Sequence, residues 1–158
     1  MKKISIFLIL MLAVVMLAVP VLAAQPAAMT VNASDKTLDR GDTVVITVST
    51  TKVDECVSGG FMLTFDKNVF EFVSGESALS AQGYMAGVSN AAGNVAGYFM
   101  NGNKTVEGEI FKITLRVKDT AAYGSYTVSG VPNLKAGGAA VECIGFYGFE
   151  IIRKNHFF

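Results

Sequence analysis

The constraint that most limits this chain is a period of two in its apolar residues. In residues 109–118, Ile113, Leu115 and Val117 alternate with Lys112, Thr114, Arg116 and Lys118. Successive side chains leave a strand on opposite sides, so this segment reads as a strand with one face buried and one in water. Phe111 breaks the alternation at its start. Residues 43–49 follow the turn Asp39-Arg40-Gly41-Asp42 and repeat the pattern, with Val44, Ile46 and Val48 on one face. Phe61, Leu63 and Phe65 alternate with Met62 and Thr64. The turn Asp66-Lys67-Asn68 then leads to residues 69–73, where Phe70 and Phe72 share a face, and the two runs read as adjacent antiparallel strands. Residues 95–100, 126–129 and 144–152 supply further strands. No stretch keeps a helical period for three turns; residues 77–84 allow one helical turn. Short strands separated by Gly, Asn and Asp clusters predict an all-β sandwich or barrel, with Gly59-Gly60 and Gly137-Gly138 as loops or bulges.

Composition has to be divided before it is used. Of the 158 residues 51% are hydrophobic, but residues 1–23 contribute a nearly unbroken apolar run behind Lys2 and Lys3. That run ends at Pro20-Val21-Leu22-Ala23, with small residues where a signal peptidase cuts, so residues 1–23 are expected to be a signal peptide cleaved after Ala23 or one residue later. Residues 4–19 fall short of the roughly 20 residues a spanning helix needs, so no stable membrane anchor is expected after cleavage. The remainder, residues 24–158 with a core over 29–152, is one domain in a secreted, extracellular protein. Without Lys2 and Lys3 it holds 11 basic against 13 acidic residues, scattered along the chain, which excludes the basic stripe that nucleic acid binding requires. In an oxidising compartment the two cysteines, Cys56 and Cys143, favour a disulfide, which in the chain-entropy model contributes on the order of 4–5 kcal/mol.

No constellation of residues points to catalysis. The single histidine, His156, sits in a tail beside Asn155 and Phe157, where nothing positions it as a base. Glu107 with Glu109, and Glu71 with Glu76, are the carboxylate pairs a glycosidase reading would use, but acidic residues at strand starts serve to keep turns in water. The six Asp form no calcium loop, no glycine cluster precedes a helix as a phosphate loop does, and no metal site or cofactor is expected. Asn32-Ala33-Ser34 and Asn103-Lys104-Thr105 match the glycosylation acceptor pattern at a frequency near chance. Carbohydrate stacking, which would make polysaccharide the partner, lacks any Trp and would have to use Tyr84, Tyr98, Tyr123, Tyr126 or Tyr147, of which at least half should be core.

Four stretches, in order, carry a family resemblance. Leu38-Asp39-Arg40-Gly41-Asp42-Thr43-Val44-Val45-Ile46 resembles the turn and second strand of a cohesin domain. Leu63-Thr64-Phe65-Asp66-Lys67-Asn68-Val69-Phe70-Glu71-Phe72 resembles its third and fourth strands, residues 109–118 its seventh, and Ala122-Tyr123-Gly124-Ser125-Tyr126-Thr127 the turn into its eighth. The resemblance implies a nine-stranded jelly-roll β-sandwich without a catalytic site. It implies docking of a dockerin-type partner, which carries the calcium, along the sheet of the eighth, third, sixth and fifth strands, in polysaccharide-degrading or cell-surface assemblies. The alternatives are a carbohydrate-binding module and a structural adhesin-type domain. The resemblance also places Cys56 before the third strand and Cys143 before the ninth, at the same end of the sandwich, where a bridge is geometrically plausible. On the third strand it puts Gly60, Met62 and Thr64 outward; on the sixth it puts Phe99 outward, with Tyr98 and Met100 inside. Met62, Thr64 and Phe99 are therefore the expected partner-binding residues. Gly60 stands where many cellulosomal cohesins carry a polar residue, which implies a divergent partner.

Overall fold

The structure, a computed structural model, describes residues 27–91, 93–137, 139–141, 143–144 and 149–153. The leader expected over residues 1–23, Tyr147, His156 and the side chain of Cys143 lie outside the described residues. Among the described residues eleven strand segments follow one another: β1 (Ala27–Ala33), β2 (Thr37–Leu38), β3 (Thr43–Thr64), β4 (Phe70–Ser77), β5 (Met85–Ala91), β6 (Asn94–Met100), β7 (Lys104–Val117), β8 (Gly124–Ala136), β9 (Ala139–Val141), β10 (Cys143–Ile144) and β11 (Phe149–Arg153). Counting the long β3 as two strands and setting aside the two- and three-residue segments gives the nine strands of a jelly-roll sandwich.

β3 generates the two layers. Its 22 residues would run about 70 Å if straight, far beyond the width of one small sheet. Instead it folds over a crease. Residues 43–53 pair with β7 on one side, and within this half Ala33 to Met29 of β1 pair with Ile46 to Thr50 on the other. Residues 58–64 pair with β8, and 59–63 also with β6. Between the halves the register slips at Thr50/Val53, Val53/Cys56 and Cys56/Ser58, and Glu55 adopts a left-handed φ of 50°. Bulges of this kind bend a strand from one layer into the next. Tyr84 pins the crease: its hydroxyl donates to the Cys56 carbonyl at 2.8 Å and lies 3.2 Å from both the carbonyl and the N–H of Lys104. One layer is therefore β1, β3, β7 and β4 in order, and the other β8, β3, β6 and β5.

The alternations seen in the sequence set the core. Val44, Ile46, Val48, Phe61, Leu63, Ile113, Leu115 and Val117 are all buried between the layers. Phe111 breaks the alternation because Val48 pairs with Phe111 and the next residue, Ser49, with Glu109. Ile110 is the extra residue of a β-bulge, so both it and Phe111 turn inward. The helical turn expected in residues 77–84 is a 3₁₀ segment, Ala78–Gln82, capped by the Ser77 hydroxyl accepting from the Leu79 N–H.

One expectation about pairing is corrected. Residues 61–65 and 69–73 are not adjacent antiparallel strands: the second half of β3, residues 58–64, lies in the layer opposite β4, and β4 pairs with β7. Asp66-Lys67-Asn68 is a crossover, held by the Asp66 carboxylate accepting from the Asn68 N–H and its carbonyl accepting from those of Val69 and Phe70. A turn of the same composition closes a hairpin or changes layers according to the long-range partners of the strands it joins, which local sequence does not encode.

Candidate partner-binding face

The outer face of the β8, β3, β6 and β5 layer is built by alternation and by register. Burying Phe61 and Leu63 on β3 sends Met62 and Thr64 outward, where both are exposed. Residues directly opposite one another in an antiparallel pair share a face. Met62 pairs with Val131 of β8 on one side and Ala96 of β6 on the other, and Gly60 with Asn133 and Tyr98. Across the β5–β6 hairpin, Tyr98 pairs with Gly87 and Met100 with Met85. Val131, Met62, Tyr98, Met100 and Met85 consequently stand on one face, with exposures of 71%, 54%, 41%, 40% and 59%. The other exposed large hydrophobic side chains among the described residues, Val73 and Tyr123, lie elsewhere.

Tyr98 occupies a bed of glycines. A Cβ added at Gly87 would meet its hydroxyl oxygen at 3.1 Å, so the ring leans over the β5 backbone. On its other side a Cβ at Gly60 would fall 2.3 Å from the Gly97 carbonyl oxygen. The absence of a polar side chain at position 60 is therefore also a steric requirement of this sheet.

Phe99 does not belong to this face. It was expected outward, with Tyr98 and Met100 inside, and the facing is reversed: Phe99 is 1% exposed and packs at 5.4 Å, edge to face, against Tyr84 and at 6.2 Å against Phe111. The cause is Gly97. It pairs with the inward Phe61, so it too faces inward, where its missing side chain leaves room for the Phe61 and Phe111 rings, which would lie 2.3 and 3.0 Å from an added Cβ. Once Gly97 is inward, Val95 and Phe99 must follow. Sequence reasoning missed Tyr98, Met100, Met85 and Val131. The signal available was Gly97 two residues before Phe99, but reading it requires knowing that Phe61 lies opposite.

Electrostatically the face is nearly blank. Its outward positions on β3, β5 and β6 over residues 58–64, 85–91 and 94–100 carry no charge, and β8 brings Lys135 at one corner. Charge is concentrated on the opposite layer. There Arg116 of β7 pairs with Glu71 at 2.9 Å and Asp119 at 3.0 Å, contacts that raise its pKa above the usual guanidinium value. Lys112 sits 2.8 Å from Glu109, whose hydrogen bond raises its pKa. Among the described residues no group of three His, Cys, Asp or Glu is placed to hold a metal ion. Of the candidate stacking tyrosines, Tyr84 is buried, Tyr126 half-buried, and Tyr98 and Tyr123 are exposed at separate places.

The cohesin-domain model matches residues 27–140. This chain belongs to the cohesin domain family. Solved cohesins share its fold at low identity. One is the sixth cohesin of scaffoldin B from Acetivibrio cellulolyticus, in complex with a Cel5 dockerin mutant (16% identity, TM-score 0.64, covering 80% of this chain and 99% of that one). Another is the cohesin module of a Clostridium perfringens family 33 glycoside hydrolase (12%, TM-score 0.66, 82% and 98%). A third is a non-cellulosomal cohesin from the archaeon Archaeoglobus fulgidus (16%, TM-score 0.64, 81% and 92%). No curated protein sequence matches. Among the described residues no helix is long and apolar enough to cross a membrane.

Proposed function

We propose that this cohesin is exported and docks a dockerin-bearing partner on the outer face of the β8, β3, β6 and β5 layer, tethering that partner in an extracellular or cell-surface assembly. The observation that carries the reading is the gathering of Val131, Met62, Tyr98, Met100 and Met85 on one exposed face. Contiguous apolar exposure marks interaction sites, and binding energy concentrates in a few large side chains. Met62 and Thr64 are contact residues in this reading. Phe99 supports the face from beneath, its ring tilted against that of Phe111. Calcium belongs to the partner. The leader is removed after Ala23 or one residue later, which N-terminal sequencing of secreted protein checks, a start at Met1 rejecting it.

The test is capture from the secreted proteins of the source on the immobilised chain, in calcium and again in chelator. A dockerin-bearing protein, identified by mass spectrometry, is retained in calcium, released on chelation, and lost with Tyr98→Ala. Retention of polysaccharide with no dockerin-bearing protein would overturn the reading in favour of carbohydrate binding.

A further inference from the structure

The docking face also constrains the chemistry of what it binds, if the reading above is taken as its basis. Its five large apolar side chains are not scattered: Val131 and Met62 share one cross-strand row, Tyr98 stands in the next, and the paired Met100 and Met85 in the one after. With strands about 4.8 Å apart and residues on one face about 6.7 Å apart along a strand, the stripe runs diagonally for about 20 Å. It is flanked by small or uncharged residues, among them Gly60, Gly87, Ser89 and Ala96. Lys135 shares a cross-strand row with Ser58, at a corner of the sheet off this diagonal. β3 and β6 are hydrogen-bonded on both sides, so the centre of the face offers a partner side chains rather than free backbone groups.

A surface of this kind rewards burial of apolar area and penalises charge. A carboxylate or ammonium group docked over Met62, Tyr98 or Met85 would lose its water and find no opposite charge. We infer that the partner's contact surface is an uncharged apolar stripe about 20 Å long, and that recognition by this cohesin is selective against charged dockerin surfaces and nearly independent of salt.

The experiment is a selection on the immobilised full chain from a display library of calcium-loaded dockerin domains with randomised surface positions. Selected domains are expected to carry apolar, uncharged contact residues, with affinity changing less than about twofold between roughly 0.05 and 0.5 M salt. Met62→Lys and Met85→Lys should each weaken binding roughly 30-fold or more, while Lys135→Ala changes it by less than about threefold. Both methionines are exposed, so these variants keep the parent's melting temperature, which circular dichroism checks. Selected dockerins with charged contact residues and salt-dependent affinity overturn the inference while leaving dockerin binding intact. Recovery of no dockerin at all overturns the docking reading, and the inference falls with it.

Discussion

Replacing Phe99 with alanine separates a core role from a contact role in a single experiment. The side chain is 1% exposed, its ring lies 5.4 Å from that of Tyr84 and 6.2 Å from that of Phe111, and the Gly59 backbone lies close beside it. Truncation removes the transfer free energy of a buried ring and leaves a cavity between two layers that are tied together through the crease of β3. Phe→Ala at such sites costs about 3–5 kcal/mol, out of a total stability of about 5–15 kcal/mol. At about 3–6 °C per kcal/mol for a domain of this size, the melting temperature falls by about 10–30 °C. The assay is thermal and urea denaturation followed by circular dichroism, with Met62→Ala as the control. Met62 is 54% exposed, so its truncation stays within about 0.5 kcal/mol of the parent. If Phe99→Ala melts within about 2 °C of the parent, the inward packing of Phe99 is wrong and the reasoning from Gly97 fails with it.

Four further outcomes are expected. Tyr84→Phe leaves the Lys104 and Cys56 backbone groups at the crease without their hydroxyl partner and costs about 1–3 kcal/mol by urea denaturation; an unchanged midpoint rejects the crease as a strong point. Burial holds the Tyr84 phenol above its ordinary pKa of 10.0, so the folded state retains that proton more tightly than the unfolded chain. This stability is fully present below pH 10 and lost as pH rises through the folded-state value, a decline that Tyr84→Phe should lessen in alkaline urea titrations. Gly97→Ala drives a methyl group against Phe61 and Phe111 and destabilises by about 1–3 kcal/mol, whereas a stability equal to the parent's would mean that β6 can be displaced freely. Finally, a Cys56–Cys143 bridge predicts that neither cysteine is alkylated in the unreduced secreted protein; mass spectrometry finding both labelled rejects it.

The amino-acid sequence alone determined the strands and their faces wherever a polar residue marks every second position. Val44, Ile46 and Val48, and Ile113, Leu115 and Val117, are buried as their alternation requires. Met62 and Thr64 are exposed for the same reason. The order of such segments was also enough to identify the cohesin family. Tertiary structure alone decided what alternation leaves undetermined. Tyr98-Phe99-Met100 is apolar at every position, so no polar residue reports its register, and its facing was set by Gly97 meeting Phe61 across the strand pair. The Asp66-Lys67-Asn68 turn became a crossover because β4 found β7, and β3 bent between layers because bulges and a left-handed Glu55 released it from β7. The diagonal apolar stripe is the sum of these decisions. Its five side chains come from four strands, and only the cross-strand register brings them onto one face.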